Sequence, residues 1–291
     1  MKHHWQLFVL ISSVILMLSC ARAPKMLSIA DSDRPFPAGT IIDTRSGQAI
    51  DFEALVNTLA SAQVVYVGEQ HTQPAHHRIQ LQILEAMADL DLPLAVGMEM
   101  FDRTYDPVLA RWSEGELTEE AFLQQTHWYA NWRYDFGLYR DLLLAVKDRR
   151  LPLYGLNLPF HIPGKIAAGG IDTLLFPDRQ FIPEFLDFSD SRHRAYLEEV
   201  FTHHRMPERN PFEFFYQAQV AWEETMAEAV AEHLADRRML VIAGNGHIVK
   251  KFGIPDRAFR RTEAPFLTVY LATAGGRVDP EAGDYIWVAE P

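Results

Sequence analysis

Two apolar runs at opposite ends of the chain close in the same pattern, Gly-x-x-His: Val64-Val65-Tyr66-Val67 leads into Gly68-Glu69-Gln70-His71, and Leu240-Val241-Ile242-Ala243 leads into Gly244-Asn245-Gly246-His247. A continuous apolar run of this length reads as a strand covered on both faces, and parallel α/β sheets gather ligands at the carboxyl ends of such strands. Two further runs behave alike: Leu94–Met98 runs into Glu99, and Leu151–Leu156 runs into Asn157. If these strands are neighbours, Glu69, His71, Glu99, Asn157 and His247 converge on one crevice.

The segments between them carry helical period. Pro74 suits a first helical turn, and Ile79, Ile83, Leu84 and Met87 recur at helical spacing; Val220, Met226, Ala227 and Val230 do the same in the stretch 218–234. Strands alternating with helices predict an α/β fold with a mainly parallel β-sheet flanked by helices. Phe266–Leu271 and Tyr285–Val288 are further strand candidates.

Two regions depart from this alternation. The stretch 103–150 has helix signals and a crowd of aromatics, among them Trp112, Trp128, Tyr129, Trp132, Tyr134 and Tyr139, read as helices packed on the sheet or as a flat wall for a planar ligand. The stretch 161–217 holds many Pro and Gly residues, which predicts a helical insertion or lid; it contains His193, His203, His204, Met206 and Tyr216, residue types that ligate iron.

The amino terminus starts basic at Lys2, is apolar from Leu7 to Leu18, and ends in Ser19-Cys20-Ala21, the form of a secretory signal too short for a spanning helix. Cys20, the one cysteine, stands where a lipoprotein signal places the acylated residue. The expected organisation is therefore a lipoprotein signal peptide over 1–19, a lipid-anchored tether over 20–39, and a domain over 40–291 with helical insertions at about 103–150 and 161–217. Ala21 after Cys20 favours delivery to the outer membrane. With no second cysteine for a disulfide, the exported domain depends on its core, and 48% hydrophobic residues over 291 positions suffice for one. A formal charge of −12, or −13 once Lys2 is removed with the signal, speaks against nucleic acid as a partner.

The strand-end residues have two chemical readings. Glu69, His71, Glu99 and His247 are suited to hold a divalent metal or to move protons in hydrolysis. Glu99 follows an apolar run, so its carboxylate needs a histidine, a metal or an arginine such as Arg78 or Arg103 as partner. The Gly244-Asn245-Gly246 segment lacks the Lys-Ser/Thr of a phosphate-binding loop, and no Gly-x-Ser-x-Gly elbow is present.

Taken in order, Val67-Gly68-Glu69-Gln70-His71, Gly97-Met98-Glu99-Met100-Phe101, Gly155-Leu156-Asn157, Ala218-Gln219-Val220-Ala221-Trp222 and Gly244-Asn245-Gly246-His247 make the chain resemble, from about Thr40 to its end, the ChaN-type haem-binding lipoproteins of the Tiki, TraB and erythromycin-esterase superfamily. The resemblance implies a parallel sheet with a smaller helical domain, and a surface lipoprotein that binds haem in iron acquisition. It also implies a tyrosine on the iron and paired subunits in a homodimer. Tyr216, with His203 and His204 nearby in sequence, is the expected haem-binding set; Tyr129 and Tyr134 are the alternatives. Metal-dependent proteases and an esterase in the same superfamily use similar histidines and carboxylates, so hydrolysis through His71, His247, Glu69 and Glu99 is the second expectation.

Overall fold

A computed structural model of the chain describes residues 25–30, 32, 34–203 and 211–291. Cys20, His204 and Met206 lie outside the described residues. The strands are β1 (Met26–Ile29), β2 (Pro35–Pro37), β3 (Ile41–Asp43), β4 (Gln48–Ile50), β5 (Val64–Val67), β6 (Leu94–Asp102), β7 (Leu153–Asn157), β8 (Arg238–Ile242), β9 (Phe266–Thr273), β10 (Arg277–Val278) and β11 (Tyr285–Ala289). The main sheet runs β4-β3-β11-β9-β5-β8-β6-β7. From β11 to β7 every pairing is parallel, and β3 and β4 add an antiparallel edge.

The four apolar runs of the sequence are adjacent strands in the order β5-β8-β6-β7. They read as unbroken apolar runs because both faces are covered. Val65, Val67, Leu240 and Ile242 join one core cluster, while Val64, Tyr66, Met239 and Val241 join another on the opposite face. Alternate residues of a strand point to opposite faces, so no position within these runs is left for a polar side chain until the apolar run ends.

The helix Pro74–Ala88 begins with Pro74 as expected and buries Ile79, Ile83, Leu84 and Met87. On the other face lies the long helix Phe212–Leu234, whose Met226, Ala227, Val230 and Leu234 pack beneath β5 and β8. Among the described residues no helix is long and apolar enough to cross a membrane.

Three boundaries differ from the expectation. Met26–Ile29 and Pro35–Pro37 are not part of a free tether: β1 pairs with β2 and β10 in a three-stranded sheet, and Leu27 and Phe36 are buried with Ile42, Ile286 and Val288. The domain thus takes in residues before Thr40. The stretch 103–150 is helical but not a separate insertion, because Trp112, Phe122, Trp128, Phe136, Tyr139 and Leu143 belong to the same cluster as β5, β6 and β8.

The smaller helical part is confined to the region after β7, where the helices His161–Gly169 and Ser191–His203 form satellite clusters with Ala218, Ala221, Phe215 and Val220. Its expected end at 217 falls inside the helix Phe212–Leu234. That helix serves both parts, its first half holding the insertion and its second half the sheet.

Candidate functional site

All five residues that follow the apolar runs meet towards the carboxyl edge of β5, β8, β6 and β7. The two Gly-x-x-His segments touch directly. A Cβ at Gly68 would stand 2.0 Å from Asn245 Oδ1, and one at Gly244 would stand 3.0 Å from His71 Cε1 and 3.4 Å from Glu99 Oε2. Glycine at these positions is what permits the approach. Asn245 completes the junction by donating from its N–H to Glu69 O at 2.8 Å and from Nδ2 to Leu271 O at 2.8 Å.

Glu69 is buried and anchors His71. Its Oε1 accepts from His71 Nδ1 at 2.7 Å and from the Tyr139 hydroxyl at 2.5 Å, and its Oε2 accepts from Gln80 Nε2 at 2.8 Å. A carboxylate can only accept, so Nδ1 of His71 carries the proton and Nε2 is directed away from Glu69. The His71 ring is walled by Trp132 and Tyr134, with centroids at 4.8 and 5.1 Å, and its side chain keeps 28% exposure. Burial would depress this imidazole, but the Glu69 hydrogen bond and the nearby Glu99 charge hold it above the ordinary histidine value.

Glu99 does not end its strand, since β6 continues to Asp102 with an irregular register against β7 after Met98. The carboxylate is 1% exposed. Its Oε2 accepts the Gly244 N–H at 2.6 Å, and Oε1 lies 3.5 Å from His247 Nε2. Asn157 steadies the same point from β7, donating Nδ2 to Glu99 O at 2.8 Å. Despite the burial, His247 and His71 pull the Glu99 carboxyl down to about 2.

His247 sits between two carboxylates, with Nδ1 3.4 Å from Glu223 Oε1. Burial opposes its charge, yet Glu99 and Glu223 push it up to about 10, so it stays an imidazolium at neutral pH. Behind it the charges continue into the helical part. His193 Nε2 lies 3.3 Å from Glu223 Oε2 without hydrogen-bond geometry, and Arg257 pairs with Glu224. Burial lowers His193, while its charged neighbours lower Glu223 against the same burial.

The cluster is thus two joined units: an oriented, partly exposed His71 on Glu69, and a buried Glu99–His247–Glu223 array. Acid–base chemistry is open to His71 Nε2. The expectation of a divalent metal held by Glu69, His71, Glu99 and His247 does not fit this geometry. The Glu69 oxygens are taken by three donors and both His247 nitrogens face carboxylates. Among the described residues no group of three or more His, Cys, Asp or Glu side chains is arranged to hold a metal ion.

The expected haem set fares unevenly. Tyr216 is 1% exposed, packed by Phe188 and Phe212, and donates its hydroxyl to Phe188 O at 3.1 Å. His203 ends the helix Ser191–His203 in an exposed position, with Nδ1 donating to Glu199 O at 2.8 Å. Of the alternatives, Tyr134 lies tilted against His71 and Tyr129 is 59% exposed.

The sequence reading missed Glu223, Tyr139 and Gln80 as members of the site. Glu223 had a signal: it lies three residues after Val220 and four before Ala227, inside the apolar stripe of its helix, where a carboxylate requires a partner. Tyr139 and Gln80 carry no comparable mark.

The family described as haem-binding uptake, Tiki superfamily, ChaN matches residues 55–258, a span from the first helix through the whole cluster. Among solved structures the chain is similar to ChaN of Campylobacter jejuni, described with cofacial haem binding. The two are 20% identical with a TM-score of 0.71, over 85% of this chain and 95% of that one. It is also similar to a mutant of the erythromycin esterase EreC in its open conformation, 12% identical with a TM-score of 0.48, over 81% of this chain and 76% of that one. No curated protein matches the chain.

Proposed function

The chain belongs to the haem-binding uptake family of the Tiki superfamily that includes ChaN, and on that premise we propose that it binds haem as cargo for iron acquisition at the cell envelope. The observation that carries this reading is the family match over residues 55–258, which takes in the sheet edge and the helical part together. A lipid on Cys20 would hold the protein to the outer membrane, with the signal over 1–19 removed.

Haem needs an aromatic wall, a side chain that can donate to iron, and cations for its two carboxylates. The groups fit. A cleft of about 970 Å³ between the helix Ser191–His203 and the loops around β9–β11 is lined by Tyr196, Tyr270, Phe252 and His203, with basic and acidic side chains in equal number. A homodimer is part of the proposal, and the exposed Leu175, Phe176 and Phe185 of the helical part supply apolar surface for it.

Purification from haem-supplemented cells tests the reading. Haem retained in a fixed ratio to the chain supports it, and a colourless protein that takes up none after reconstitution contradicts it.

A second reading, hydrolysis, has one observation in its favour: Glu69 orients His71 with Nε2 directed away from it and the ring partly exposed, the arrangement of a general base. A panel of ester and peptide substrates, run beside His71→Ala, would decide it. Turnover that vanishes in the variant supports hydrolysis; no turnover, or equal turnover in both, excludes it.

A further inference from the structure

We propose that the protein rests on the membrane by the carboxyl edge of its main sheet, with anionic lipid headgroups in the notch beside Lys25, Gln70 and Arg277, so that the His71 end of the cluster opens towards the bilayer. The proposal rests on the lipid at Cys20 in the reading above and does not depend on the ligand being haem.

The chain enters the fold at that edge. The Gly275 N–H donates to Met26 O at 3.0 Å, and a Cβ at Gly275 would stand 3.1 Å from Lys25 Cδ. Gly275 closely follows Thr273, the last residue of β9, and the Thr273 hydroxyl donates to Gln70 Oε1 at 3.4 Å. Gln70 immediately precedes His71. Lys25, the end of β9 and the first Gly-x-x-His segment therefore form one continuous stretch of surface.

The reach of the chain limits how the domain can stand. Lys25 lies five residues after Cys20, a distance that even fully extended chain spans with at most about 18 Å. The eight residues of β9 alone are about 26 Å long. An inverted stance, with the amino edge of the sheet on the membrane, would lift Lys25 beyond the reach of an acylated Cys20.

The charges at this edge favour the same stance. A notch of about 470 Å³ is lined there by Lys25, Gln70, Thr273 and Arg277, with two cations and no acidic side chain in its wall. That is notable in a chain whose formal charge is −12. Both cations are exposed, and among the described residues neither has a carboxylate at ion-pair distance. Glu290, next to the lining residue Pro291, is paired with Arg78 at 3.3 Å. Arg22 adds a further cation to the stretch 21–25, which holds no acidic residue. Basic side chains beside an anchored segment attract anionic headgroups, whose phosphates accept from ammonium and guanidinium donors.

The stance decides how the site is approached. His71 keeps 28% side-chain exposure next to Gln70. With the notch on the headgroups, a ligand reaches this imidazole from the membrane surface, where apolar and amphipathic molecules collect because water excludes them.

The test uses the full chain as exported, purified in detergent, with mass spectrometry reporting the lipid on Cys20, and then reconstituted into vesicles that carry an acceptor dye on their headgroups. A fluorophore is attached through Gln70→Cys at the carboxyl edge or Asp236→Cys just before β8 at the amino edge. Cys20 is the one cysteine of the chain, so with its thiol acylated the label goes only to the introduced residue. On phosphatidylglycerol vesicles, energy transfer should be severalfold greater from the Gln70 label than from the Asp236 label. Adding Lys25→Glu and Arg277→Glu should reduce it towards the value on phosphatidylcholine vesicles. Equal transfer from the two labels, or transfer from the Gln70 label that responds to neither the charge reversal nor the lipid, overturns the proposal while the anchor stands. A mass without lipid on Cys20 removes the anchor and the proposal with it, and leaves haem binding to its own titration.

Discussion

Glu99 Oε1 lies 3.5 Å from His247 Nε2 across neighbouring strands, and the other nitrogen of the same ring lies 3.4 Å from Glu223 Oε1. One imidazolium therefore lies between two buried carboxylates that arrive from β6 and from the long helix. This joins the sheet edge to the helical part by charge.

The pair makes stability depend on pH in both directions. Glu99 is held at about 2 against an ordinary 4.5, so its contribution is complete above 4.5 and is lost as pH falls towards 2. His247 is raised from 6.5 to about 10, so its contribution is complete below 6.5 and is lost as pH rises towards 10. Chemical denaturation across pH should show greatest stability between about 4.5 and 6.5. In Glu99→Gln both limbs should shrink and stability at pH 6 should drop, by less than the roughly 3–5 kcal/mol of a fully unpaired buried charge because Glu223 still faces His247. A flat profile in the wild type would remove the pair from the account.

The Glu69 carboxylate sets the state of His71. Glu69→Gln should lower the His71 pKa, because the hydrogen bond and charge that offset burial are gone. Nuclear magnetic resonance titration of the ring protons reads this directly. Tyr139→Phe removes a neutral donor to the same oxygen and should cost about 1 kcal/mol or somewhat more of stability. An unmoved His71 titration in Glu69→Gln would show that the contact does not govern the ring.

The contact between the two Gly-x-x-His segments predicts a contrast among glycines. Gly68→Ala would drive a methyl into Asn245 Oδ1 and Ile248, whereas a Cβ at Gly246 meets nothing within 4 Å. Gly68→Ala should lose about 1–3 kcal/mol in denaturant melts, and Gly246→Ala should lose little. Equal losses would mean that the segments yield easily to one another.

β1 and β2 should behave as part of the domain. Leu27 is 1% exposed against Ile286 and Val288, so Leu27→Ala should destabilise by about 2–3 kcal/mol. A change within half a kcal/mol, by the same melts, would return the segment to the role of a tether.

The strands around the site were legible because strands buried on both faces leave unbroken apolar runs, and the polar residue that ends each run marks the sheet edge. Their neighbourhood was an inference from the shared Gly-x-x-His pattern, and the order β5-β8-β6-β7 places them side by side. Short edge strands leave no such trace. β1 and β2 span four and three residues, and the prolines bounding β2 read as tether.

Side chains on helices were hardest to place, because which face meets a ligand depends on packing that spacing does not encode. Tyr216 and Tyr196 lie on different helices with comparable sequence surroundings. The first turns into a cluster with Leu197 and Phe215, and the second opens onto the cleft. Glu223 was hidden for a related reason, as an acidic residue within a helix otherwise read for its apolar stripe.

Titration of the purified full chain with ferric haem, followed by Soret absorbance and by sizing, tests the central claim most directly. Saturation at a fixed ratio of haem to chain, with a spectrum distinct from free haem and a shift to the size of a dimer, is the predicted result. A spectrum that stays that of free haem at every ratio would contradict haem binding and leave the oriented His71 on Glu69 as the place to look for activity.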